Sequence, residues 1–261
     1  MTAASAAIAF DSVGKSYDGG GRKVLDGVSL AVGEREFLAI VGPSGSGKTT
    51  LLRLVNRLTD PSEGTVQVAG EDVRTVDPIM LRRRIGYVFQ GVGLFPHMTV
   101  AENIGITPRL LGQEADAIAR RVDELIELVR LDRATHGRRF PHELSGGERQ
   151  RVGVARALAA NPRIVLMDEP FGALDPLTRD ALSQDYRALH DTLGLTTVMI
   201  THDMMEALLL ADRIAVMRDG RVIADGSPNA MMAHAGDDFV SELMQTPRRQ
   251  AERLNALKAA R

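Results

Sequence analysis

Residues 42 to 49 read Gly42-Pro43-Ser44-Gly45-Ser46-Gly47-Lys48-Thr49. This stretch, the phosphate loop, follows the apolar run Phe37 to Val41 and precedes the helix-like segment Thr50 to Leu58, as the G-x-x-x-x-G-K-[ST] pattern requires. Its three glycines let successive backbone N–H groups face an anion, and the following helix adds its positive N-terminal end. We expect Lys48 to reach the β and γ phosphates of a nucleotide and Thr49 to ligate Mg²⁺. The alternative is a Gly/Ser turn between a strand and a helix.

Three continuously apolar runs predict buried strands of an α/β sheet. They are Phe37 to Val41, Ile164 to Met167 and Thr196 to Thr201. A helix-like segment follows each run, so strands and helices alternate and the sheet is expected to be mostly parallel. Shorter runs between Gly-rich turns predict a small antiparallel β layer nearer the N-terminus: Ile8 to Phe10, Val24 to Val32 and Thr65 to Val68. The expected fold is a phosphate-loop NTPase core with both kinds of sheet.

A helical insertion is predicted between Gly91 and Pro141. Within it, the apolar residues of Glu114 to Leu131 repeat at helical spacing. We therefore predict one nucleotide-binding domain over residues 1–246, with residues 91–158 as an inserted helical subdomain. Residues 247–261 are rich in Lys and Arg and predict a charged tail, either a solvated helix or a frayed end.

The composition limits the classes of protein to which this chain can belong. Its 261 residues include no Cys, which excludes a disulfide framework, a thiol nucleophile and a zinc–thiolate site, and which suits the cytosol. A net charge of -2 gives no global basic field, so nucleic acid is not an expected partner. Met1 to Phe10 lack the features of a signal peptide, and no apolar run approaches the roughly 18 residues of a spanning helix. Any membrane role is expected to come through a partner.

Two carboxylates follow the predicted strand Ile164 to Met167, at the end where an open parallel sheet binds its ligand. Because neighbouring strand positions point to opposite sides, Asp168 and Glu169 are expected to differ in role. Asp168 would hold Mg²⁺ through its water shell, and Glu169 would be the general base that polarises the attacking water. The alternative is an acidic turn at a strand exit.

A histidine follows the next predicted strand. His202 comes directly after Thr201 and could contact the γ-phosphate and fix the position of the water and of Glu169. The residues after it, Asp203 to Glu206, match a capping box for the next helix. On local grounds, a structural role for this corner is an equally good interpretation.

A second glycine-rich segment reads Leu144-Ser145-Gly146-Gly147-Glu148 and precedes a helix-like stretch, Arg149 to Leu158. Ser145 and Glu148 match an S-x-x-E capping box. That box does not account for the paired glycines, which leave the N–H groups at the helix start open to a second anion. A second anion site suggests a second protomer, whose nucleotide this loop would contact.

Taken together, these motifs resemble those of the nucleotide-binding subunits of ABC transporters. The motifs are the phosphate loop, Gln90 within Tyr87-Val88-Phe89-Gln90, Leu144 to Glu148 (the signature loop), Asp168-Glu169, Ala173-Leu174-Asp175 and His202. Their order and spacing match over Ile8 to Leu243, although Glu148 stands where the family more often has Gln. The resemblance implies a head-to-tail homodimer that holds two ATP molecules, each between the phosphate loop of one subunit and the signature loop of the other.

The resemblance also implies roles for individual residues. Tyr17 lies where the family stacks an aromatic ring on adenine, with a surface strand residue as the alternative. Gln90 would sense Mg²⁺ and the membrane partner, and Asp175 would cross the dimer interface. The residues expected to act are Lys48, Glu169 and His202 in catalysis; Tyr17, the phosphate-loop residues 42–49, Thr50, Gln90, Ser145, Gly146, Gly147 and Asp175 in nucleotide binding; and Thr49, Gln90 and Asp168 at the metal.

Finer features resemble the importers of osmoprotectants and quaternary amines, such as glycine betaine, choline or carnitine. They are Leu52 to Leu58, Gly93 to Asn103, Phe140 to Leu144 and Pro170 to Pro176. An importer implies permease subunits docking near Gln90 to Thr99, a periplasmic or extracellular solute-binding protein acting indirectly, and a location at the cytoplasmic face of the membrane. The apolar residues Val92, Leu94, Phe95 and Met98 are candidates for that docking surface. The alternative is packing inside the helical subdomain.

Three other functions stay open. The chain could be an importer ATPase for another small solute such as an amino acid, a soluble ATPase of the same superfamily acting on ribosomes or DNA, or a phosphate-loop kinase. Soluble relatives usually have two tandem cassettes or a long coiled coil, which this sequence lacks. The signature loop and His202 argue against a kinase. The solute itself cannot be derived from this chain, because an ATPase subunit never touches it.

Overall fold

The computed structural model describes residues 6–17, 23–91, 93–233, 237–245 and 249 as two β-sheets with helices packed around them. The strands are β1 (Ala6–Ser16), β2 (Lys23–Gly33), β3 (Phe37–Val41), β4 (Glu63–Val68), β5 (Glu71–Asp72), β6 (Ile85–Val88), β7 (Ile164–Asp168), β8 (Thr196–Ile200), β9 (Arg213–Arg218) and β10 (Arg221–Gly226). The helices are α1 (Lys48–Val55), α2 (Pro78–Arg84), α3 (Val100–Leu110), α4 (Ala115–Leu128), α5 (Arg133–His136), α6 (Gly146–Leu158), α7 (Pro176–Leu193), α8 (Met204–Leu210) and α9 (Pro228–Ala233). Residues 238–245 are also helical, and Pro141–Glu143 form a 3-10 turn.

The six-stranded main sheet has the order β10-β9-β3-β8-β7-β6. The five strands from β9 to β6 in this order run parallel, and β10, at the other edge, pairs antiparallel with β9. The prediction of a mostly parallel sheet is therefore confirmed. Since β3, β7 and β8 are neighbours and parallel, the segments that follow them meet at one edge of the sheet.

Both faces of the main sheet are buried, which explains why its strands are continuously apolar. Along β3, Leu38 and Ile40 enter a hydrophobic cluster with α1 and the four-stranded sheet. The alternate residues of β3 enter a second cluster with α3, α4, α6, α7 and α8: Phe37, Ala39 and Val41. The main sheet is thus the middle layer of three, as the period-two alternation of strand side chains requires.

The small antiparallel layer is a four-stranded sheet of order β2-β1-β4-β5. Strand β1 pairs antiparallel with both β2 and β4, so the predicted antiparallel layer is confirmed. Its buried residues Ile8, Leu25 and Val66 share a cluster with α1. This packing brings β2 against the start of α1, where the phosphate loop ends.

The region between β6 and β7 is helical, as predicted, and contains α3, α4, α5 and α6. The helix predicted over Glu114 to Leu131 is α4, which ends at Leu128 because Val129 caps it and Arg130 has a positive φ of 56°. The helices α3, α4 and α6 share one hydrophobic cluster with the main sheet. The division into a 1–246 domain with an inserted 91–158 subdomain stays a prediction, and the predicted tail lies outside the described residues except for Arg249.

One detail of the helices differs from the sequence predictions, and another agrees with them. The helix after the phosphate loop begins at Lys48, two residues before the predicted start, so the last residues of the loop belong to its first turn. In the part of the chain that the structure describes, no helix has the length and apolarity that crossing a membrane requires.

Candidate active site

The phosphate loop owes its shape to glycines that neighbouring backbone encloses. Gly47 has a φ of 99°, and a Cβ atom there would lie 2.7 Å from the carbonyl oxygen of Val24 in β2. Gly42 has a φ of 149°, and its Cβ would lie 2.0 Å from the carbonyl oxygen of Met217 in β9. Any side chain at these two positions would collide with backbone atoms that cannot rotate away. The loop conformation predicted from the pattern is therefore fixed by two distant strands as well as by its own sequence.

The turn between β9 and β10 also supports the phosphate loop. The backbone N–H of Gly220 in this turn donates to the carbonyl oxygen of Ser46 at 3.2 Å. The carbonyl oxygen of Gly220 accepts from the N–H of Asp26 in β2 at 3.0 Å. One residue thus connects the phosphate loop to the antiparallel sheet.

Lys48 is buried at the floor of the phosphate loop. Its ammonium donates to the carbonyl oxygens of Gly42 at 2.8 Å and Pro43 at 2.9 Å. Burial lowers the pKa of Lys48 from its ordinary value, and the nearby carboxylates of Glu169 and Asp168 act in the opposite direction. The side chain is therefore held in position for an anion that enters the loop.

A cavity of about 240 Å³ opens over the loop. It is lined by Val24, residues 44–50 of the loop and α1, and Glu169. The expected loop residues from Ser44 to Thr50 thus share one cavity with the expected base. Val24 was missed, because no local pattern connects a residue of β2 with a loop that follows β3.

Thr49 and Asp168 provide adjacent oxygen atoms beside this cavity. The Thr49 hydroxyl donates to Asp168 Oδ1 at 3.3 Å. Burial raises the pKa of Asp168 above its ordinary value, although the Thr49 hydrogen bond opposes the shift. Hydroxyl and carboxylate oxygens are the hard ligands that Mg²⁺ uses together with water and phosphate oxygens, so the pair fits this ion. Among the described residues there is no cluster of three or more His, Cys, Asp or Glu side chains suited to a metal.

Glu169 lies directly beyond β7 and contacts two other predicted site residues, Gln90 and His202. Its Oε2 accepts from Gln90 Nε2 at 3.0 Å and lies 3.5 Å from His202 Nδ1. The side chain of His202 is 64% exposed, so its other ring edge is open to a ligand. The reason given for the different directions of Asp168 and Glu169 was wrong: Glu169 is outside the strand and has a φ of 46°, so a turn rather than strand alternation directs it.

The expected capping box at the start of α8 is incomplete. Asp203 accepts from the N–H groups of Met205 at 2.8 Å and Glu206 at 3.4 Å, as a cap should. The Glu206 carboxylate does not return to Asp203 and instead accepts from the Thr201 hydroxyl at 2.6 Å. Burial raises the pKa of Glu206 above its ordinary value. The corner after β8 is therefore held by a hydrogen bond that reaches back across His202.

The signature loop forms the predicted capping box at the start of α6. The Ser145 hydroxyl accepts from the N–H of Glu148 at 3.2 Å, and Glu148 Oε2 accepts from the N–H of Ser145 at 2.7 Å. A Cβ at Gly147 would lie 2.5 Å from Thr178 Cγ2 in α7, so α7 packs closely against the loop. The glycine at this position therefore permits helix packing in addition to leaving its N–H group open.

A second cleft of about 620 Å³ joins the signature loop to the start of α7. Ser145, Gly146 and Gly147 line it together with Asp175, which caps α7 by accepting from the N–H of Thr178 at 3.1 Å. None of these residues lines the phosphate-loop cavity. The residues predicted to face a partner subunit are thus grouped on a surface of their own.

Arg179 in α7 connects the segment before this helix with the corner after β8. Its guanidinium donates to the carbonyl oxygen of Leu174 at 3.2 Å and lies 3.4 Å from Asp203 Oδ2. Sequence reasoning missed Arg179, because its partners lie on two different loops. The residue thus joins Leu174 and Asp203, the chain neighbours of Asp175 and His202.

Tyr17 and Gln90 were predicted to contact adenine and Mg²⁺, respectively. Tyr17 is 55% exposed just after β1, with Lys15 Nζ 5.0 Å from its ring centroid, and it does not line the phosphate-loop cavity. Its contact with adenine stays a prediction. Gln90 faces Glu169, and its metal role stays a prediction as well.

The predicted docking segment is partly exposed. A groove of about 410 Å³ is lined by apolar residues that include Leu58, Phe89, Phe95 and Leu110. Phe95 is 42% exposed, whereas Leu94 packs against the hydrophobic core, as the alternative interpretation of this segment required. Val92 lies outside the described residues.

Comparison with known proteins agrees with this arrangement of motifs. Residues 25–172 match the family model described as ABC transporter. The chain belongs to the ABC transporter family. Among solved structures, it is similar to the ATP-binding cassette MJ0796 in a dimeric post-hydrolysis state bound to ADP and Pi, with 34% identity and a TM-score of 0.76 over 85% of this chain and 98% of that one. The chain therefore has the α/β fold of an ABC cassette, as predicted from the sequence.

Curated relatives of the chain are named as ATP-binding proteins of transport, uptake or import systems. The choline transport ATP-binding protein OpuBA of Bacillus subtilis is 46% identical over 237 residues, which are 91% of this chain and 62% of that protein. The glycine betaine uptake system ATP-binding protein YehX of Escherichia coli is 46% identical over 90% of this chain and 75% of its own length. The sulfate/thiosulfate import ATP-binding protein CysA of Caulobacter vibrioides is 47% identical over 85% of this chain and 65% of its own. The chain thus spans less than two thirds of the first of these relatives.

Proposed function

We propose that this chain binds and hydrolyses ATP as the motor subunit of an ABC importer. The observation that carries the proposal is the meeting of Glu169 with Gln90 and His202 beside the phosphate-loop cavity. A carboxylate oriented by an amide and an imidazole next to a triphosphate site has the arrangement that activation of water requires. The membership of the family and the similarity to a cassette bound to ADP and Pi support the same activity.

Each group of residues in the site has a separate role in the proposed reaction. The N–H groups of the phosphate loop and the Lys48 ammonium bind the β and γ phosphates. Glu169 Oε2 accepts a proton from the water that attacks the γ-phosphorus, while the bond to the bridging oxygen breaks and ADP leaves. His202 keeps the carboxylate in this orientation. Bound Mg²⁺ supplies positive charge to the phosphates, and Thr49 and Asp168 are the residues that would hold it.

The working unit of this proposal is a homodimer with membrane partners. The signature-loop surface of one subunit closes over ATP held by the phosphate loop of the other. Permease subunits dock on the groove beside Phe89 and Phe95, so the ATPase is peripheral at the cytoplasmic face of the membrane, and a periplasmic or extracellular solute-binding protein acts through the permease. The exposed aromatic groove supports this docking site.

Replacing Glu169 by Gln tests the hydrolytic role. The amide cannot accept the proton, so phosphate release from Mg–ATP is expected to fall by at least about 100-fold, with ATP binding retained and an ATP-dependent dimer accumulating. Light scattering after gel filtration measures the dimer, and phosphate release measures the rate. Glu124→Gln, in an exposed carboxylate of α4, is the control and should hydrolyse normally. Normal hydrolysis by Glu169→Gln would remove Glu169 from the role of base.

We further propose that the imported solute is an osmoprotectant or quaternary amine such as glycine betaine or choline. The names of OpuBA and YehX support this class. The sulfate/thiosulfate relative has a comparable identity, so an importer of another solute is the second candidate. Uptake of labelled betaine, choline, sulfate and amino acids by cells with and without the gene, at low and high osmolarity, distinguishes them. Loss of sulfate uptake alone would reject the osmoprotectant class.

A further inference from the structure

The signature loop carries a negative charge at the start of α6. Glu148, the third residue of this helix, has one carboxylate oxygen on the N–H of Ser145, a bond that a neutral Gln could also accept. A carboxylate in the first turn stabilises the helix itself, because it faces the positive end of the helix dipole. It also repels any phosphate that approaches the N–H groups of Gly146 and Gly147. A loop that receives a phosphate therefore needs this charge to be compensated.

His136, the last residue of α5, contacts the second oxygen of that carboxylate. Its Nε2 lies 2.9 Å from Glu148 Oε1, and its Nδ1 lies 2.9 Å from the carbonyl oxygen of Asp132. The Thr135 hydroxyl, also 2.9 Å from Nδ1, donates its own hydrogen to Asp132 Oδ2 at 2.8 Å. The Glu148 carboxylate can only accept, so Nε2 donates to it, and the contacts of Nδ1 hold the ring in this orientation. A hydrogen bond from His136 therefore lies directly on the charge of Glu148.

The pair is shielded from water. The side chains of His136 and Glu148 are 13% and 28% exposed, so water competes less for their hydrogen bond than it does at the open surface. The hydrogen bonds from His136 and Ser145 lower the pKa of Glu148 to about 2. The carboxylate is therefore charged at neutral pH, and the ring N–H of His136 is directed at that charge.

The other charged groups around the ring are engaged elsewhere or fixed in charge. On its own element, Asp132 is a neighbouring carboxylate with a lowered pKa, and Arg133 pairs with Asp123 of α4 at 2.6 Å. On α6, Arg151 pairs with a carboxylate of α7 at 2.9 Å. These pairings leave the contact with the Glu148 carboxylate to His136.

We propose that His136 is a positioning residue whose ring N–H offsets the charge of Glu148 and thereby keeps the signature loop receptive to the terminal phosphate of ATP held by a second copy of this chain. The inference rests on the proposed ATP-dependent dimer. One consequence follows. Removing the hydrogen-bond donor of His136 weakens closure of the dimer on ATP, but only while Glu148 carries its negative charge.

A double-mutant cycle in the Glu169→Gln parent tests the inference through binding rather than turnover. The ATP concentration that gives half-maximal dimer is measured for the parent, for His136→Phe, for Glu148→Gln and for the combined variant. Phe keeps a ring at position 136 and removes the hydrogen-bond donor, whereas Gln at position 148 keeps the helix cap and removes the charge. We expect His136→Phe to raise that concentration about tenfold with Glu148 present and less than about twofold when combined with Glu148→Gln. Circular dichroism of each variant checks that α5 and α6 are folded.

The comparison of the two backgrounds decides between the inference and its alternative. An equal effect of His136→Phe in both backgrounds would overturn the inference and leave His136 a packing residue. Failure of the parent itself to dimerise with ATP would instead overturn the proposed function, and the inference with it.

Discussion

Gly45 and Gly47 are two phosphate-loop glycines with similar backbone conformations and different surroundings. Their φ angles are 80° and 99°, which L side chains rarely adopt. A Cβ at Gly45 would meet no atom within 4 Å, whereas one at Gly47 would lie 2.7 Å from both Val24 O and Leu25 Cδ2. A substitution at Gly45 therefore measures the free-energy cost of the unusual φ angle alone, whereas one at Gly47 adds the cost of a steric collision.

Replacing each of these glycines by Ala should therefore give different losses of stability. Gly45→Ala is expected to cost about 1–2 kcal/mol of unfolding free energy, the penalty for a residue with a Cβ in a left-handed conformation. Gly47→Ala should cost a further ~1–3 kcal/mol, because β2 must move away from the loop. Urea unfolding in the absence of nucleotide measures both. Equal losses for the two variants would contradict the close approach of β2.

At the residue scale, the sequence identified the residues that belong to a motif and missed the residues that hold a motif in place. The phosphate loop, Glu169 and the Ser145 capping box were identified from local patterns, and the structure brings them together with their expected neighbours. His136 and Arg179 escaped because each acts through a contact between distant segments. No local pattern of residue types encodes such contacts.

At the scale of elements, α7 links the surface predicted to face a partner with the corner that holds His202. Arg179, in the first turn of this helix, bonds to Leu174 on one side and to Asp203 on the other. Its planar guanidinium serves both partners at once, which an ammonium does less well. Movement at the start of α7 is therefore expected to displace the residues next to the base.

Replacing Arg179 by Lys tests this link. We expect the rate of ATP hydrolysis to fall by about tenfold while ATP binding to the single subunit is unchanged, because the phosphate loop makes no contact with Arg179. Arg187→Lys is the matched control: it lies two turns further along α7 and pairs with Asp191 and Asp212. Hydrolysis rates and nucleotide titrations measure the two effects. Equal losses of rate in both variants would show that the effect is one of stability alone.

The elements themselves were predicted unevenly. The three central strands were found because burial on both faces makes them continuously apolar. The β9–β10 hairpin was not predicted, although its turn, Asp219-Gly220, has φ angles of 50° and 78° and is a favoured two-residue turn. The helix after β7, α7, was predicted only as a helix-like segment without bounds, since only four of its residues are buried.

At the scale of the whole molecule, the cleft beside the signature loop carries an exposed apolar side chain. Leu177, the second residue of α7, is 85% exposed and lines this cleft together with Asp175. An exposed leucine next to a predicted interface is accounted for if a second subunit covers it. The cleft therefore supports the dimer proposed from the motifs.

Replacing Leu177 by Asp should disrupt the dimer without affecting the fold. In the Glu169→Gln parent, we expect the ATP-dependent dimer to weaken by at least about tenfold, with ATP binding to the single subunit retained. Met232→Asp, an exposed residue of α9 that does not line the cleft, is the control. Light scattering and nucleotide titration measure the two properties. A dimer of unchanged strength in the Leu177→Asp variant would place the interface elsewhere.

The overall architecture was predictable, whereas the bounds of the inserted subdomain, 91–158, stay a prediction. Alternating strands and helices indicated a layered α/β fold, and the structure has that arrangement. The helices α3, α4 and α6 share a hydrophobic cluster with the main sheet, so no change in packing marks where the predicted subdomain would begin. Apolar periodicity reports which side of a helix is buried and gives no information about what covers it.

The support of the phosphate loop by β2 and by the β9–β10 turn limits how far the motif can be moved. Eight consecutive residues look like a portable unit, yet Gly47 is shaped by Val24, and Ser46 is bonded to Gly220. A protein engineer who grafted residues 42–49 alone onto another parallel sheet would transfer the N–H donors without the neighbouring backbone that fixes their directions. A working transplant would also have to include the first residues of β2 and the β9–β10 hairpin.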